Sequence, residues 1–196
     1  PRLQLALQLN PKNSLALAKA AELEEVEGNI ELAASLYQAA LQAPPPGATE
    51  ALTLGLCRTL AELKKLNELD RIAAAYLVSQ PNSDQALTLL GQSKFNQEKY
   101  AEAEQLLKQA AALNIAGLDC RRVLAQTYLR QDKLQEAAAI YHELLRLTPN
   151  DVDVLVHQGL LLAQLGSTSE AKKHFQKALS IEPSHLKAAE YLLLVR

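Results

Sequence analysis

Apolar residues recur at three- and four-residue intervals along the segment 134–147, LQEAAAIYHELLRL. This spacing places Ala137, Tyr141 and Leu144 on one face of a helix with about 3.6 residues per turn. Pro149 then ends the helix, because proline lacks an N–H and disfavours helical geometry in the residue before it. The pattern predicts an amphipathic helix followed by a fixed terminator.

The same pattern returns at one constant interval upstream and downstream, in the segments 100–117 and 169–185. Prolines mark this interval, since Pro149 and Pro183 are one interval apart, Pro81 lies two intervals before Pro149, and Pro11 and Pro45 are again one interval apart. A period of roughly 20–50 residues is typical of stacked repeat proteins, in which each repeat packs only against its neighbours. The sequence therefore predicts an all-α array of antiparallel helix pairs.

The period divides one predicted domain, 1–196, into successive repeats. These are the second helix of a truncated repeat at 1–13, repeat 1 at 14–47, repeat 2 at 48–83, repeat 3 at 84–117, repeat 4 at 118–151, repeat 5 at 152–185, and a capping helix or truncated sixth repeat at 186–196. Repeat 2 is irregular, being two residues longer than the others, and we expect a longer first helix or a wider turn near 62–70. Since the chain opens on a second helix and contains no Met, we interpret it as a fragment of a longer array.

Certain places within the repeat hold residues of constant size. The eighth place is small in every repeat: Ala21, Gly55, Gly91, Ala125 and Gly159. The twentieth place holds Ala33, Ala103, Ala137 and Ala171, and the twenty-fourth holds Tyr37, Leu107, Tyr141 and Phe175. This pattern resembles the tetratricopeptide repeat family, whose closely crossing helices require small residues at the contact. The resemblance covers essentially the whole chain and implies a right-handed superhelical solenoid of antiparallel helix pairs. Repeat 2 departs from it, with Leu69 or Ala73 where alanine is expected.

Composition narrows the function classes. The chain has 20 basic and 22 acidic residues, which gives a net charge of −2. Because nucleic-acid phosphates require a concentrated basic surface, we expect no nucleic-acid partner. No apolar run is long enough to span a membrane, so we expect no direct membrane insertion. Cys57 and Cys120 fall in different repeats, and the histidines lack the spacing of a zinc site. We predict no enzyme activity, no cofactor and no metal site; the compartment, cytoplasm or periplasm, is left open.

The family resemblance also implies where a partner would bind. In the family, the second, fifth, ninth, twelfth and thirteenth places line a concave groove formed mainly by the first helices. The candidate partner-binding residues that follow from this mapping are Leu52, Leu56, Gln92, Phe95, Asn96, Arg122, Gln126, Leu129, Arg130, Val156 and Leu160. They imply a groove that is apolar in repeat 2, polar in repeat 3 and basic around Arg122 and Arg130.

The leading hypothesis is a non-catalytic scaffold that holds a partner protein or peptide in the groove, in a bacterial envelope, export or assembly complex. One subclass of the family grips the carboxylate of chaperone tails with a Lys/Asn/Arg clamp, to which Arg122 with Gln126 is the nearest approach here. One alternative is the targeting or regulatory arm of a larger enzyme. Another is a self-assembly module that forms a homo-oligomer through exposed terminal helices.

Overall fold

The computed structural model describes residues 10–195, and the secondary structure in that range is entirely helical. Its eleven helices are α1 (Ser14–Glu27), α2 (Ile30–Ala40), α3 (Thr49–Glu62), α4 (Leu66–Ser79), α5 (Asp84–Asn96), α6 (Tyr100–Leu113), α7 (Leu118–Arg130), α8 (Leu134–Leu147), α9 (Val152–Gln164), α10 (Thr168–Ile181) and α11 (Leu186–Leu194). We call the odd-numbered helices first helices and the even-numbered ones second helices. The helix predicted for 2–10 lies outside the described residues except for Asn10. Within 10–195 no helix combines the length and the hydropathy that crossing a bilayer requires.

One residue in each turn between a first and a second helix adopts a left-handed backbone. These residues are Gly28, Lys64, Glu98, Asp132 and Gly166, with φ between +56° and +84°. A side chain disfavours this conformation, so Gly28 and Gly166 adopt it at lower cost than the three other residues. The repeated turn gives each repeat a fixed reference point, from which the places within a repeat can be counted.

The two extra residues of repeat 2 lie before its turn. The turn at 63–65 is as long as those at 97–99 and 131–133, so the expectation of a wider turn is wrong. One extra residue belongs to α3, which has 14 residues where α5, α7 and α9 have 13. The other lies between the starts of α2 and α3, in a segment that includes the proline-rich connector 41–48. Counting forward from the start of repeat 2 therefore gives a register two residues out of step with its turn.

The chain divides into two compact units, residues 1–98 and 99–196. In the first unit, the second helix α2 buries Ala33 and Tyr37 with exposures of 0% and 2%. Counted from the turn, α4 places Leu69 where α2 has Ala33, and Ala73 where α2 has Tyr37. Both residues are fully buried, so a large and a small side chain have exchanged places in repeat 2. Such an exchange keeps the total side-chain volume nearly constant, which packed cores tolerate best.

In the second unit, alanines and large side chains alternate along the buried face of the second helices. Ala103, Ala137 and Ala171 are fully buried, as are Leu107 and Phe175. A Cβ atom built on Gly159 of α9 would lie 2.7 Å from the ring of Phe175. This distance confirms that the eighth place of repeat 5 must be small, because a ring occupies the space of a side chain there.

Carboxylates on second helices tie successive repeats together. Asp70 on α4 accepts hydrogen bonds from side chains on α5 and the turn after it: Ser93 (2.6 Å), Lys94 (2.9 Å) and Gln97 (2.8 Å). At the equivalent place one repeat later, Glu104 accepts a hydrogen bond of 2.7 Å from Lys133. These contacts tie α4 and α6 to the first helix of the following repeat or to the turn after it.

Candidate functional site

An open cleft of about 400 Å³ lies in the second unit between the successive first helices α9 and α11. Its apolar lining comes from Val156 and Leu160 on α9 and from Leu186 and Tyr191 on α11. Polar side chains surround this lining: Asp153, His157, Glu182, Ser184, His185 and Lys187. We call these ten residues the carboxy-terminal cleft.

The polar rim of the carboxy-terminal cleft is partly ordered by its own contacts. The Nδ1 of His157 donates a hydrogen bond of 2.7 Å to the carbonyl oxygen of Asp153, and the ring stacks on Tyr141 with centroids 5.3 Å apart. His185 places its Nε2 4.0 Å from the carboxylate of Asp153, whose side chain is 79% exposed. The cleft therefore offers a partner an accessible carboxylate and two oriented imidazoles above an apolar floor.

A second cleft, of about 390 Å³, lies in the first unit between α1 and α3. Its lining residues are Leu15, Ala18, Lys19 and Glu22 of α1, Tyr37 of α2, Pro45 and Ala48 of the connector, Ala51, Leu52, Leu54 and Arg58 of α3, and Gln85 of α5. We call this set the amino-terminal cleft. Both clefts thus lie between neighbouring first helices, which is the face that the sequence predicts for a groove.

Arg58 is held in the wall of the amino-terminal cleft by Glu25. The carboxylate of Glu25 accepts hydrogen bonds from Arg58 Nε (3.0 Å) and Nη2 (3.4 Å) and from the hydroxyl of Tyr37. Burial by itself would raise the pKa of Glu25, but the hydrogen bonds from Arg58 and Tyr37 hold this pKa below its ordinary value. Burial and the bond to Glu25 raise the pKa of Tyr37. The contacts fix the guanidinium while leaving the Arg58 side chain 48% exposed.

The predicted site residues of repeat 2 are largely buried. Leu52 and Leu56 are each 2% exposed, and of these two only Leu52 lines the amino-terminal cleft. Counted from the turn, which shifts the register by two residues, the fifth and ninth places are Leu54 and Arg58, which line the same cleft. Counting two regular repeat lengths back from Arg122 and Gln126 identifies the same two residues from the sequence alone.

In repeats 3 and 4 the predicted residues lie outside the two clefts. Gln92, Asn96, Gln126 and Arg130 are exposed or partly exposed, whereas Phe95 and Leu129 are largely covered by neighbouring residues. Arg122 forms an ion pair with Asp151, the residue that caps α9. The Arg122 side chain stays 41% exposed in this pair, so Asp151 lowers the net charge of the surface predicted for repeat 4 without covering the guanidinium.

In repeat 5 the structure brings predicted and unpredicted residues together. Val156, though only 4% exposed, and Leu160 line the carboxy-terminal cleft as the groove mapping predicted. His157, His185 and Leu186, which that mapping did not include, line the same cleft. His185 and Leu186 lie at the start of α11, the next first helix, and line the cleft opposite α9.

Two features of the described residues bear on chemistry, the grouping of metal-binding side chains and a buried cysteine. Between residues 10 and 195 no three His, Cys, Asp or Glu side chains are grouped to hold a metal ion. Burial raises the pKa of Cys57 to about 12, which keeps this thiol protonated and weakly nucleophilic at neutral pH.

Comparisons with known proteins agree with the array of helix pairs described above. A family model described as tetratricopeptide repeat matches residues 122–185, and one described as anaphase-promoting complex, cyclosome, subunit 3 matches residues 70–144. The fission yeast DnaJ homolog subfamily C member 7 homolog is 39% identical over 59 residues, which are 30% of this chain and 12% of that protein. Human protein O-mannosyl-transferase TMTC3 is 26% identical over 191 residues, 97% of this chain and 17% of that protein. The chain therefore spans less than a fifth of either relative.

A solved structure shares the fold over nearly the full length. YrrB, described as a TPR protein with an unusual peptide-binding site, superposes with a TM-score of 0.72 at 19% identity, covering 97% of both chains. This likeness confirms the predicted all-α fold class. Folds of this type are typically non-catalytic scaffolds for interactions between proteins. From the helix pairs, the constant sizes of their contacting residues and the family-model match, we conclude that residues 122–185 are tetratricopeptide repeats and that the chain has the fold of such repeats.

Proposed function

We propose that the chain is a scaffold that binds extended segments of partner proteins in the amino-terminal and carboxy-terminal clefts. The observation that carries this proposal is that each unit holds an open cleft of about 400 Å³ between neighbouring first helices. Each cleft has an apolar lining surrounded by polar side chains, as binding sites commonly have. The predicted place in a bacterial envelope or export complex stays a prediction.

The chemistry of the carboxy-terminal cleft favours a segment with one bulky apolar side chain. Leu186 is 85% exposed and Leu160 is half-buried, so both have apolar surface that a partner can cover. Burying a leucine- or phenylalanine-sized side chain contributes about 1.5–3 kcal/mol, enough to anchor a short segment. Asp153 and the two imidazoles can then hydrogen-bond to the backbone beside the anchor.

Selection from a phage-displayed library of random linear peptides on the whole chain tests this proposal. The selected peptides would be measured by fluorescence anisotropy against the wild type, Leu186→Glu and Leu194→Glu. Both leucines lie on α11 with exposures of 85% and 73%, but only Leu186 lines the cleft. We expect Leu186→Glu to weaken binding at least ten-fold, because a charge replaces apolar surface, and Leu194→Glu to leave it unchanged.

A matched pair of variants tests the amino-terminal cleft in the same way. Leu15 lines that cleft with an exposure of 60%, whereas Leu23, on the same helix, is 48% exposed and lies outside the lining. Peptides specific for this cleft should lose affinity for Leu15→Glu and keep it for Leu23→Glu. If no peptide distinguishes either cleft variant from its control, binding in the clefts is refuted.

A second candidate function is that of a binding arm that serves a catalytic domain. It is favoured by the alignment with human protein O-mannosyl-transferase TMTC3, which extends over 97% of this chain. In this role the clefts would recruit a substrate protein to an enzyme encoded in the same polypeptide. The full-length gene decides between the two: a catalytic domain beside the repeats supports the arm, and repeats alone refute it.

A further inference from the structure

Side chains cap the start of several first helices at the same place in the repeat. In four first helices the backbone N–H of the third residue donates a hydrogen bond to the side chain of the residue before the helix. The accepting residues are Asn13 (3.1 Å), Ser83 (3.3 Å), Asp151 (3.1 Å) and His185 (3.1 Å). Asparagine, serine and aspartate are common caps, because their oxygens accept a hydrogen bond from the exposed N–H groups. His185 is different, since its acceptor is the ring nitrogen Nδ1, an atom that also takes up a proton.

The cap formed by His185 requires a neutral imidazole. The N–H of Ala188 donates to Nδ1, so this nitrogen carries a lone pair and the ring proton is on Nε2. Protonation of Nδ1 would place an N–H opposite the N–H of Ala188 and abolish the hydrogen bond. The partial positive charge at the helix start also disfavours a cation there.

Other charged groups around His185 act in both directions. From α9, the carboxylate of Asp153 lies 4.0 Å from Nε2 and favours a protonated ring, and His157 lines the same cleft. Glu182 in the connector and Lys187 on α11 are the other charged residues that line the cleft. Because the Asp153 side chain is 79% exposed, water screens its attraction, while the cap is a direct contact on a side chain that is 16% exposed.

We propose that His185 makes the carboxy-terminal cleft sensitive to pH. While its imidazole ring is neutral, His185 caps the first turn of α11 beside α9. Acidification removes the cap, loosens the first turn and displaces Leu186 and Lys187 from the wall of the cleft. The consequence for partner binding rests on the proposed function, but the loss of the cap does not.

Amide hydrogen exchange of the whole chain without any ligand tests the cap directly. Protection factors of the Ala188 and Ala189 amides would be measured by NMR from pH 7.5 to pH 5.5 and corrected for the intrinsic exchange rate. We expect protection to fall about five-fold in the wild type, the effect of losing a cap worth ~1 kcal/mol. His185→Asn, which keeps a cap that does not titrate, should show constant protection. The Val154 amide, capped by Asp151, is the internal control.

The result that overturns the proposal is the same pH profile for the wild type and His185→Asn. His185→Ala should show low protection at both pH values, which separates loss of the cap from a change of charge in the cleft. Peptides selected for the carboxy-terminal cleft should bind the wild type more weakly at pH 5.5 and His185→Asn equally at both pH values. A failed peptide selection would refute the proposed function and leave the exchange result standing.

Discussion

The close contact of Gly159 with Phe175 leads to a prediction about packing at the crossing of α9 and α10. A Cβ at position 159 would lie 2.7 Å, 2.9 Å and 3.0 Å from three ring atoms of Phe175. Carbon atoms in contact are normally about 3.5–4.0 Å apart, so the ring would have to move by roughly 0.5–1 Å. Phe175 is fully buried in a cluster with Leu155, Ala171 and Ala178, and its ring packs against Tyr191.

Two effects of Gly159→Ala oppose each other. Alanine favours the helix by about 1 kcal/mol over glycine, while overpacking costs typically about 1–3 kcal/mol. We therefore expect a net loss of about 1 kcal/mol in the free energy of unfolding, which lowers Tm by about 2–4 °C in a chain of this size. Gly159→Leu should cost more, because its side chain cannot fit beside the ring.

Urea denaturation followed by circular dichroism measures this effect, and a double-mutant cycle isolates its cause. Phe175→Leu removes the ring that Gly159→Ala would strike, so alanine at 159 should become neutral or stabilising in that background. Mutations without shared contacts add within about 0.3–0.5 kcal/mol. If Gly159→Ala stabilises the chain equally in both backgrounds, the crossing does not require glycine and the reasoning is refuted.

Three further predictions concern charge, backbone strain and association. Hydrogen bonds from Ser93, Lys94 and Gln97 outweigh burial and hold the pKa of Asp70 below its ordinary value of 3.8. The contribution of Asp70 to the free energy of unfolding is therefore complete above pH 3.8 and is lost as the pH falls below 3.8. Urea midpoints should therefore be lower for Asp70→Asn than for the wild type at pH 7, but should fall less between pH 5 and pH 3; parallel curves would contradict this. Because Lys64 has φ +56°, Lys64→Gly should raise Tm or leave it unchanged. The control Gly28→Ala should lower Tm by straining the same kind of turn, and equal effects of both substitutions on Tm would be evidence against backbone strain at Lys64. Leu194 is 73% exposed, and if it mediates self-association then light scattering should show a mass that rises with concentration in the wild type and not in Leu194→Lys, while a strict monomer at high concentration would exclude this contact.

Much of the fold follows from the sequence, because the helical period and the sizes of the contacting residues are local properties. Ala137, Tyr141 and Phe175 were predicted as buried residues and are at most 4% exposed. Asn13, directly before α1, accepts the hydrogen bond of a helix cap from the N–H of Ala16. Each of these features depends on neighbours within one helical turn or one repeat length away, which a repeating sequence displays directly.

The candidate site was predicted less well, because it depends on contacts that the period does not contain. An insertion lengthens a repeat equally on either side of the turn, and for this reason the sequence placed Leu52 and Leu56, rather than Leu54 and Arg58, at the fifth and ninth places. Arg122 was predicted to be an accessible cation, but it pairs with Asp151, 29 residues further along the chain. Neither fact is visible in the pattern of a single repeat.

The sequence by itself determined that this protein is an array of helix pairs, since only that arrangement buries an apolar face that recurs once in every repeat. Only the tertiary structure decided which residues of each first helix face a cleft and which charges remain available there. It also decided that His185 caps α11 beside Asp153, two residues from opposite ends of repeat 5 that meet in the folded chain. The physical reason is that helix formation follows from local spacing, whereas a binding surface is formed by side chains that meet only after the helices have packed.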